Sequence, residues 1–242
     1  MLMLEHKRVP YRRVEFVTLL HPLGARLHGF DAGGETRSAG DKRPFGLRMG
    51  DRLGTVPGLA AGSERISTNH RIARFLDDRH PDPPLFPAEA GRRAAVEEAE
   101  GWANETLQMA ARRIPGAAIV RDPAGSARTT GDGRLGHLLY KRELARRLLI
   151  PRIIGGVFAT GRSAARDPVQ ELPSLLDRID AWIAEGVLGG PQLNAADFMV
   201  APSLALILYR PDAMEFFEGR PALELVDRVL PEPGAQPSTV PV

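Results

Sequence analysis

The chain of 242 residues contains no cysteine. This absence excludes disulfide bonds, thiolate metal ligands and a cysteine nucleophile, so any thiol chemistry must use a thiol supplied by another molecule. A long apolar run is also missing. The apolar opening, residues 1–4, is followed at once by charged residues and is too short for a signal peptide or a membrane span. We therefore expect a cytoplasmic protein with no membrane partner.

The chain also has little excess charge of either sign. It carries 32 Lys and Arg against 30 Asp and Glu, a net charge of +2, which gives little electrostatic attraction for polyanions. Nucleic acid is therefore not an expected partner. A metal site is not expected either, because the histidines show no paired spacing with carboxylates. They are His6, His21, His28, His70, His80 and His137.

The first third of the chain shows strand patterns followed by a helix. Residues 11–17 alternate apolar and charged side chains, as a half-buried strand does. Residues 54–67 predict two short strands that turn at Gly62 and Ser63, and a helix with an apolar face follows them. Between these patterns the chain is rich in Gly, Arg and Asp. We predict a loop at residues 25–43, either a functional lid or a disordered segment, and a short helix only at 44–53.

A proline-rich stretch at residues 80–87 separates this part from the rest, because proline removes an amide donor and disfavours helix in the residue before it. Beyond it the periodicity is helical. We predict an α/β domain over residues 1–83 and an all-helical domain over residues 90–230. The predicted helices of the second domain are 92–113, 135–149, 169–184, 195–209 and 213–229.

One helix start in the second domain has a specific pattern. Asn194 can cap the helix, and Asp197, three residues later, can accept from the amide of Asn194. The segment 192–205 resembles the capping box and buried helix in the C-terminal domain of cytosolic glutathione S-transferases. The resemblance extends to residues 4–11, 56–57, 66–80 and 218–222, whose order and spacing are similar to that family.

The resemblance implies the glutathione S-transferase fold, an α/β thioredoxin-like N-terminal domain followed by an all-α C-terminal domain. Val56-Pro57 resembles the position where a cis proline presents the preceding backbone to the cysteinyl part of glutathione. Thr68 and Asn69 fall where the family holds the γ-glutamyl group at a helix N-terminus, although the family usually has an acidic residue or Gln followed by Ser there. Ordinary strand entry for Pro57 and helix capping for Thr68 and Asn69 are the alternatives.

The family's catalytic residue is a hydroxyl or thiol just after the first strand, where it stabilises the thiolate. Residues 2–7 resemble the end of the helix that follows, so the resemblance implies that the first strand and the catalytic position are absent from this sequence. A start placed too late and a naturally truncated form both remain open, and no catalytic residue is assigned. Tyr11 is the nearest hydroxyl, and we expect it to pack. Trp102 and Met109 face either the substrate cleft or the core.

The function implied by the resemblance is transfer of a thiol to a small-molecule electrophile by a homodimer, with glutathione as co-substrate. Two alternatives stay open. The first is a catalytically inactive protein that keeps the fold for binding or assembly. The altered residues at 68 and 69 also leave room for a transferase or reductase that uses another low-molecular-weight thiol.

Overall fold

The computed structural model describes residues 1–14, 21–30, 56–121, 167–208 and 210–230. Two short helices and a two-stranded sheet precede a larger group of helices. The strands are β1 (Gly58–Ala61) and β2 (Glu64–Ser67). The helices are α1 (Leu2–His6), α2 (His21–Leu27), α3 (Asn69–Arg79), α4 (Ala90–Trp102), α5 (Gln108–Arg121), α6 (Leu172–Ala184), α7 (Asp197–Leu208) and α8 (Pro221–Val229).

The strands β1 and β2 form the predicted hairpin. They are antiparallel, with Gly58 opposite Ser67 and Ala61 opposite Glu64. Gly62, in the turn, has a φ of +59°, a left-handed conformation that glycine adopts without the clash of a Cβ atom. Because side chains alternate along a strand, Ile66 lies on the face opposite Gly58 and Ser67, and it is buried in the main core.

A buried lysine ties α1 to the end of α3 and to the chain that follows. The side chain of Lys7 has no solvent exposure, and its Nζ lies 3.0 Å from the carboxylate of Asp77. The same ammonium group donates to the carbonyl oxygens of His80 and Pro83. Asp77 also accepts from the amide of Leu85 at 2.6 Å. A buried charge must be paired and hydrogen-bonded, so these bonds fix the path of the proline-rich stretch.

The helical part is built on long apolar faces. A π-helical turn (Ala103–Leu107) joins α4 directly to α5, so the helix predicted at 92–113 lies within a longer one. A 3-10 turn (Pro168–Glu171) precedes α6. The main core is one continuous cluster that includes side chains from both parts of the chain. Its largest fully buried members are Leu76, Leu85, Leu107, Ile114, Leu172, Leu176, Ile179, Leu188, Met199, Leu204, Ile207 and Phe217.

The predicted capping box is present at the start of α7. The amides of Gly189 and Asn194 donate to the two carboxylate oxygens of Asp197, each at 2.8 Å. The side-chain oxygen of Asn194 accepts from the amides of Ala196 and Asp197 at 2.9 and 3.4 Å. Burial raises the pKa of the Asp197 carboxyl, although the hydrogen bonds from Gly189 and Asn194 oppose that shift.

Three sequence expectations differ from the structure. Helix α2 lies between the predicted strand at 11–17 and the predicted helix at 44–53, where no helix was expected, and it overlaps the start of the loop predicted at 25–43. Residues 11–14, the start of the predicted strand, are not in a strand. The helix predicted at 213–229 is a 3-10 turn (Pro211–Phe216) and α8, because Gly219 has a φ of +71° and Pro221 begins a new helix. The remainder of the predicted loop at 25–43, from residue 31 on, and the predicted helices 44–53 and 135–149 lie outside the described residues.

The fold class expected from the sequence agrees with the described residues, which are mostly helical with a small sheet near the N-terminus. Among these residues no helix is long and apolar enough to cross a membrane.

Candidate functional site

The four residues predicted to hold a thiol lie together. Val56 and Pro57 lead into β1, whereas Thr68 and Asn69 follow β2. The pairing of Gly58 with Ser67 makes the two segments neighbours. The amide of Thr68 donates to the carbonyl oxygen of Pro57, with an N–O distance of 3.2 Å. The Val56-Pro57 peptide bond is cis, which confirms the predicted geometry of this bond. What these residues bind stays a prediction.

Thr68 has an unusual backbone conformation at the start of α3. Its φ is 74° and its ψ is 144°. A β-branched residue rarely adopts a positive φ; such a conformation costs about 1–3 kcal/mol and persists only where the surrounding structure holds it. The side-chain oxygen of Thr68 accepts from the amide of Arg71 at 3.5 Å, near the limit of a hydrogen bond. Strained residues of this kind are concentrated at binding sites, which makes Thr68 a candidate.

The first turn of α3 is suited to an anion. The early amides of a helix have no carbonyl partner within the helix, and the helix dipole favours negative charge there. Thr68 and Asn69 are half-buried. The side chain of Val56 is 40% exposed, so the neighbouring backbone is near the surface. A carboxylate could reach this turn from solvent without first opening the core.

The buried carboxylate of Glu100, in the helical part of the molecule, contacts side chains in the first turns of α3. Glu100, in α4, has no solvent exposure. One of its oxygens, Oε2, lies 3.1 Å from Nδ1 of His70 and 2.9 Å from Nη1 of Arg74. Arg74 also lies over the ring of Phe86, 4.7 Å from its centroid. Removing a partner of a buried charge is costly, so this cluster fixes the orientation of α3 against α4.

The other carboxylate oxygen of Glu100, Oε1, is buried and has no hydrogen-bond partner among the described residues. Sequence reasoning did not identify Glu100, His70 or Arg74. The signal was available for Glu100 alone. It follows Val96 by four residues and precedes Ala103 by three, so a charged residue stands on the apolar stripe of α4.

Tyr11 is hydrogen-bonded to a neighbouring carboxylate. Its hydroxyl donates to the carboxylate of Glu5 at 2.5 Å. Burial and this hydrogen bond raise the pKa of Tyr11 to about 12. The ring is partly buried against the main core, in agreement with the packing expected from the sequence. A hydroxyl whose proton is directed at a carboxylate is a poor donor to a thiolate.

Trp102 packs inside the helical part. Its ring meets that of Trp182 at 5.2 Å in an edge-to-face arrangement. The guanidinium of Arg178 lies 4.4 Å from the centroid of Trp182 and pairs with Glu98 at 2.9 Å. These contacts favour the packing role for Trp102. Met109 is half-buried.

Metal-ligating side chains are not grouped in the described part of the chain. No set of three or more His, Asp or Glu residues there is placed to hold a metal ion.

Comparison with known proteins gives partial matches. No family model matches the chain. Glutathione S-transferase Z2 of Arabidopsis thaliana is 36% identical over 55 residues, and glutathione S-transferase Z1 of the same plant is 34% identical over 55 residues. Each match covers 23% of this chain and 25% of the relative. The chain thus spans about a quarter of the length of the curated relatives it matches.

The crystal structure of a glutathione S-transferase from Rhodospirillum rubrum F11 aligns with 96% of this chain and 85% of that chain. The TM-score is 0.49 and the sequence identity is 20%. Over one segment of 55 residues, this chain is thus similar in sequence to two plant glutathione S-transferases.

Proposed function

We propose that this chain binds glutathione, or another low-molecular-weight thiol, at Val56, Pro57, Thr68 and Asn69. The protein would then transfer the thiol to an electrophilic small molecule. The observation that supports this most is the bond between the Thr68 amide and the Pro57 carbonyl oxygen, 3.2 Å long. That bond links the backbone just before β1 to the N-terminus of α3. An extended ligand can therefore reach the peptide groups of the first segment and the helix amides of the second.

Each segment has a distinct role in this proposal. The backbone at Val56 offers a peptide-like edge for the central part of the thiol, and the first turn of α3 offers amide donors for a carboxylate. In the transfer step the sulfur forms a bond to the electrophilic carbon. The thiol proton passes to solvent, and the leaving group departs with its electron pair. No residue of this chain is assigned to stabilise the thiolate.

Three further expectations belong to the same proposal. The chain divides into an α/β domain over residues 1–83 and a helical domain over residues 90–230. Two copies pair as a homodimer, and the protein works in the cytoplasm. Size-exclusion chromatography with light scattering tests the pairing.

The test has two steps. Isothermal titration of the chain with glutathione measures binding, with S-methylglutathione as a control that lacks the free thiol. Conjugation of 1-chloro-2,4-dinitrobenzene, followed by absorbance, measures transfer. Binding with turnover supports the enzyme, and binding without turnover supports the inactive binding protein. No binding of glutathione, cysteine or another small thiol at millimolar concentration contradicts the proposed function.

A further inference from the structure

Phe30 is a buried aromatic residue outside the main core. It is 7% exposed, and it is not among the side chains that form that core in the described part of the chain. A large ring buried away from the core must pack against nearby residues. The residues that contact Phe30 therefore indicate which part of the structure the ring stabilises.

The end of α2 presents Phe30. Gly29 has a φ of +81°, and its amide donates to the carbonyl oxygen of Arg26 at 3.0 Å. The amide of Phe30 donates to the carbonyl oxygen of Ala25, also at 3.0 Å. This pair of bonds is the Schellman motif, in which a left-handed glycine ends the helix and the next residue turns back onto it. Ala25 and Phe30 are both buried, and an apolar contact between these two positions often accompanies the motif.

The ring of Phe30 lies directly against the residue that follows Pro57. A Cβ atom placed on Gly58 would lie 2.8, 2.9 and 3.0 Å from three ring carbons of Phe30. Real Cβ atoms do not approach a ring so closely, so Gly58 is the residue that allows this contact. The ring and the backbone at Gly58 are packed without space for a methyl group.

The same face of the hairpin carries a second link to α2. Arg65 and Ser67 share that face with Gly58, because side chains alternate along paired strands. The guanidinium of Arg65 donates to the carbonyl oxygen of His28 at 3.2 Å and lies 6.0 Å from the ring of Phe30. The hairpin is therefore packed on both faces, with the main core on the side of Ile66 and Phe30 on the other.

We propose that Phe30 is a positioning residue for the thiol site. Its ring holds the backbone at Gly58, and through it the Val56-Pro57 edge, in register with Thr68. This inference rests on the proposed function, since the effect on a ligand exists only if a thiol binds there. Phe30 touches the strand and acts on the ligand through it.

A double-mutant cycle tests this role by titration with glutathione. We expect Gly58→Ala to weaken binding about tenfold, because the methyl group displaces the ring and the strand entry by a fraction of an ångström. Phe30→Ala should weaken binding to a similar extent. The double variant should bind no more weakly than Phe30→Ala alone, because the methyl group then enters space that the ring has left.

Two controls separate a site effect from lost folding. Gly101→Ala adds a methyl group in α4 where nothing lies within 4 Å, and it should leave binding unchanged. If Phe30→Ala does not melt cooperatively, Phe30→Leu takes its place. In either variant, amide hydrogen exchange at Thr68 reports whether its bond to Pro57 is intact. We expect faster exchange at Thr68 and unchanged exchange in α7.

The outcomes separate the two proposals. No glutathione binding by the unaltered chain would overturn the proposed function and the ligand role of Phe30 with it. Normal binding by the unaltered chain and by both Phe30 variants would overturn the role of Phe30 alone. Fully additive losses in the double variant would also overturn it, because independent sites share no contact.

Discussion

The starts of α3 and α7 solve the same problem in different ways. Both helices begin with early amides that need acceptors. At α7 the side-chain oxygen of Asn194 accepts the amides of Ala196 and Asp197 at 2.9 and 3.4 Å. The fully buried carboxylate of Asp197 in turn accepts the amides of Gly189 and Asn194, each at 2.8 Å. At α3 the cap is the half-buried Thr68, whose hydroxyl accepts one amide at 3.5 Å. The first start is closed by short internal bonds, and the second is open to a ligand.

This difference separates a structural site from a candidate functional one. A closed helix start stabilises the fold because its own side chains satisfy its amides. An open start leaves the positive end of the helix dipole near the surface. At α3 this start is formed by Thr68, whose φ is 74°. We therefore expect changes at α7 to affect the free energy of unfolding and changes at α3 to affect binding.

The largest expected effect is at the closed start. Asp197→Ala leaves the amides of Gly189 and Asn194 buried without their acceptor, and we expect a loss of about 3 kcal/mol in the free energy of unfolding. Urea denaturation followed by circular dichroism measures it. Asp197→Asn keeps one oxygen acceptor and should lose less. If Thr68→Ala destabilises the protein as much as Asp197→Ala, the contrast between the two starts is wrong.

The cluster that holds α3 gives the next effect. Arg74→Met leaves the buried Glu100 with His70 alone, and we expect a loss of about 2–3 kcal/mol, reduced from the cost in a fully buried pair because Arg74 is partly exposed. The matched control is Arg93→Met. Arg93 pairs with Glu97 at 3.3 Å at the surface, so its loss should cost about 0.5 kcal/mol. Equal losses in the two variants would show that Glu100 does not anchor α3.

The open start predicts opposite changes in stability and binding. Thr68→Gly removes the cost of the positive φ, and glycine is also an acceptable cap, so we expect the protein to gain about 1 kcal/mol. Glutathione binding should weaken several-fold, because a flexible residue no longer holds the helix start in place. Thr68→Ala keeps the strain and loses the hydroxyl, so it should destabilise the protein. A stabilised Thr68→Gly chain with unchanged affinity would remove Thr68 from the site.

A smaller effect is expected with pH. Burial, and secondarily Lys7, lowers the pKa of His6 below its usual value of 6.5. The folded state then favours the neutral ring, so this contribution to stability is present above pH 6.5 and is lost as the pH falls below it. The ring lies 5.1 Å from that of Phe198, so His6→Phe keeps an aromatic contact there. Urea denaturation between pH 5 and 8 should show that the free energy of unfolding depends less on pH in His6→Phe than in the unaltered chain. The same pH dependence in both would contradict this role of His6.

Local signals in the sequence predicted several of these features. The turn at Gly62 and the capping box at Asn194 and Asp197 each depend on residues close together in the chain. The cis bond at Pro57 was inferred from the family resemblance. The split before α8 was available at Gly219 and Pro221, since glycine ends helices and proline begins them. It was missed because the apolar periodicity continues across them.

The contacts between distant segments could not be predicted in this way. Phe30 and Gly58 meet because α2 ends in a Schellman motif and the hairpin passes beneath it. His70 and Glu100 meet because α3 packs on α4. No local preference encodes either distance, although a buried charge on an apolar stripe marks Glu100 as unusual.

NMR of the backbone amides during titration with glutathione tests the proposed site most directly. We expect saturable shifts at Val56, Thr68, Asn69 and His70, and no shift at Ala196 or Asp197 at the closed start. Thr68→Gly should weaken the shifts at α3. Binding that moves other amides and leaves the first turn of α3 unchanged would contradict the proposal that this open helix start binds the carboxylate of the thiol compound.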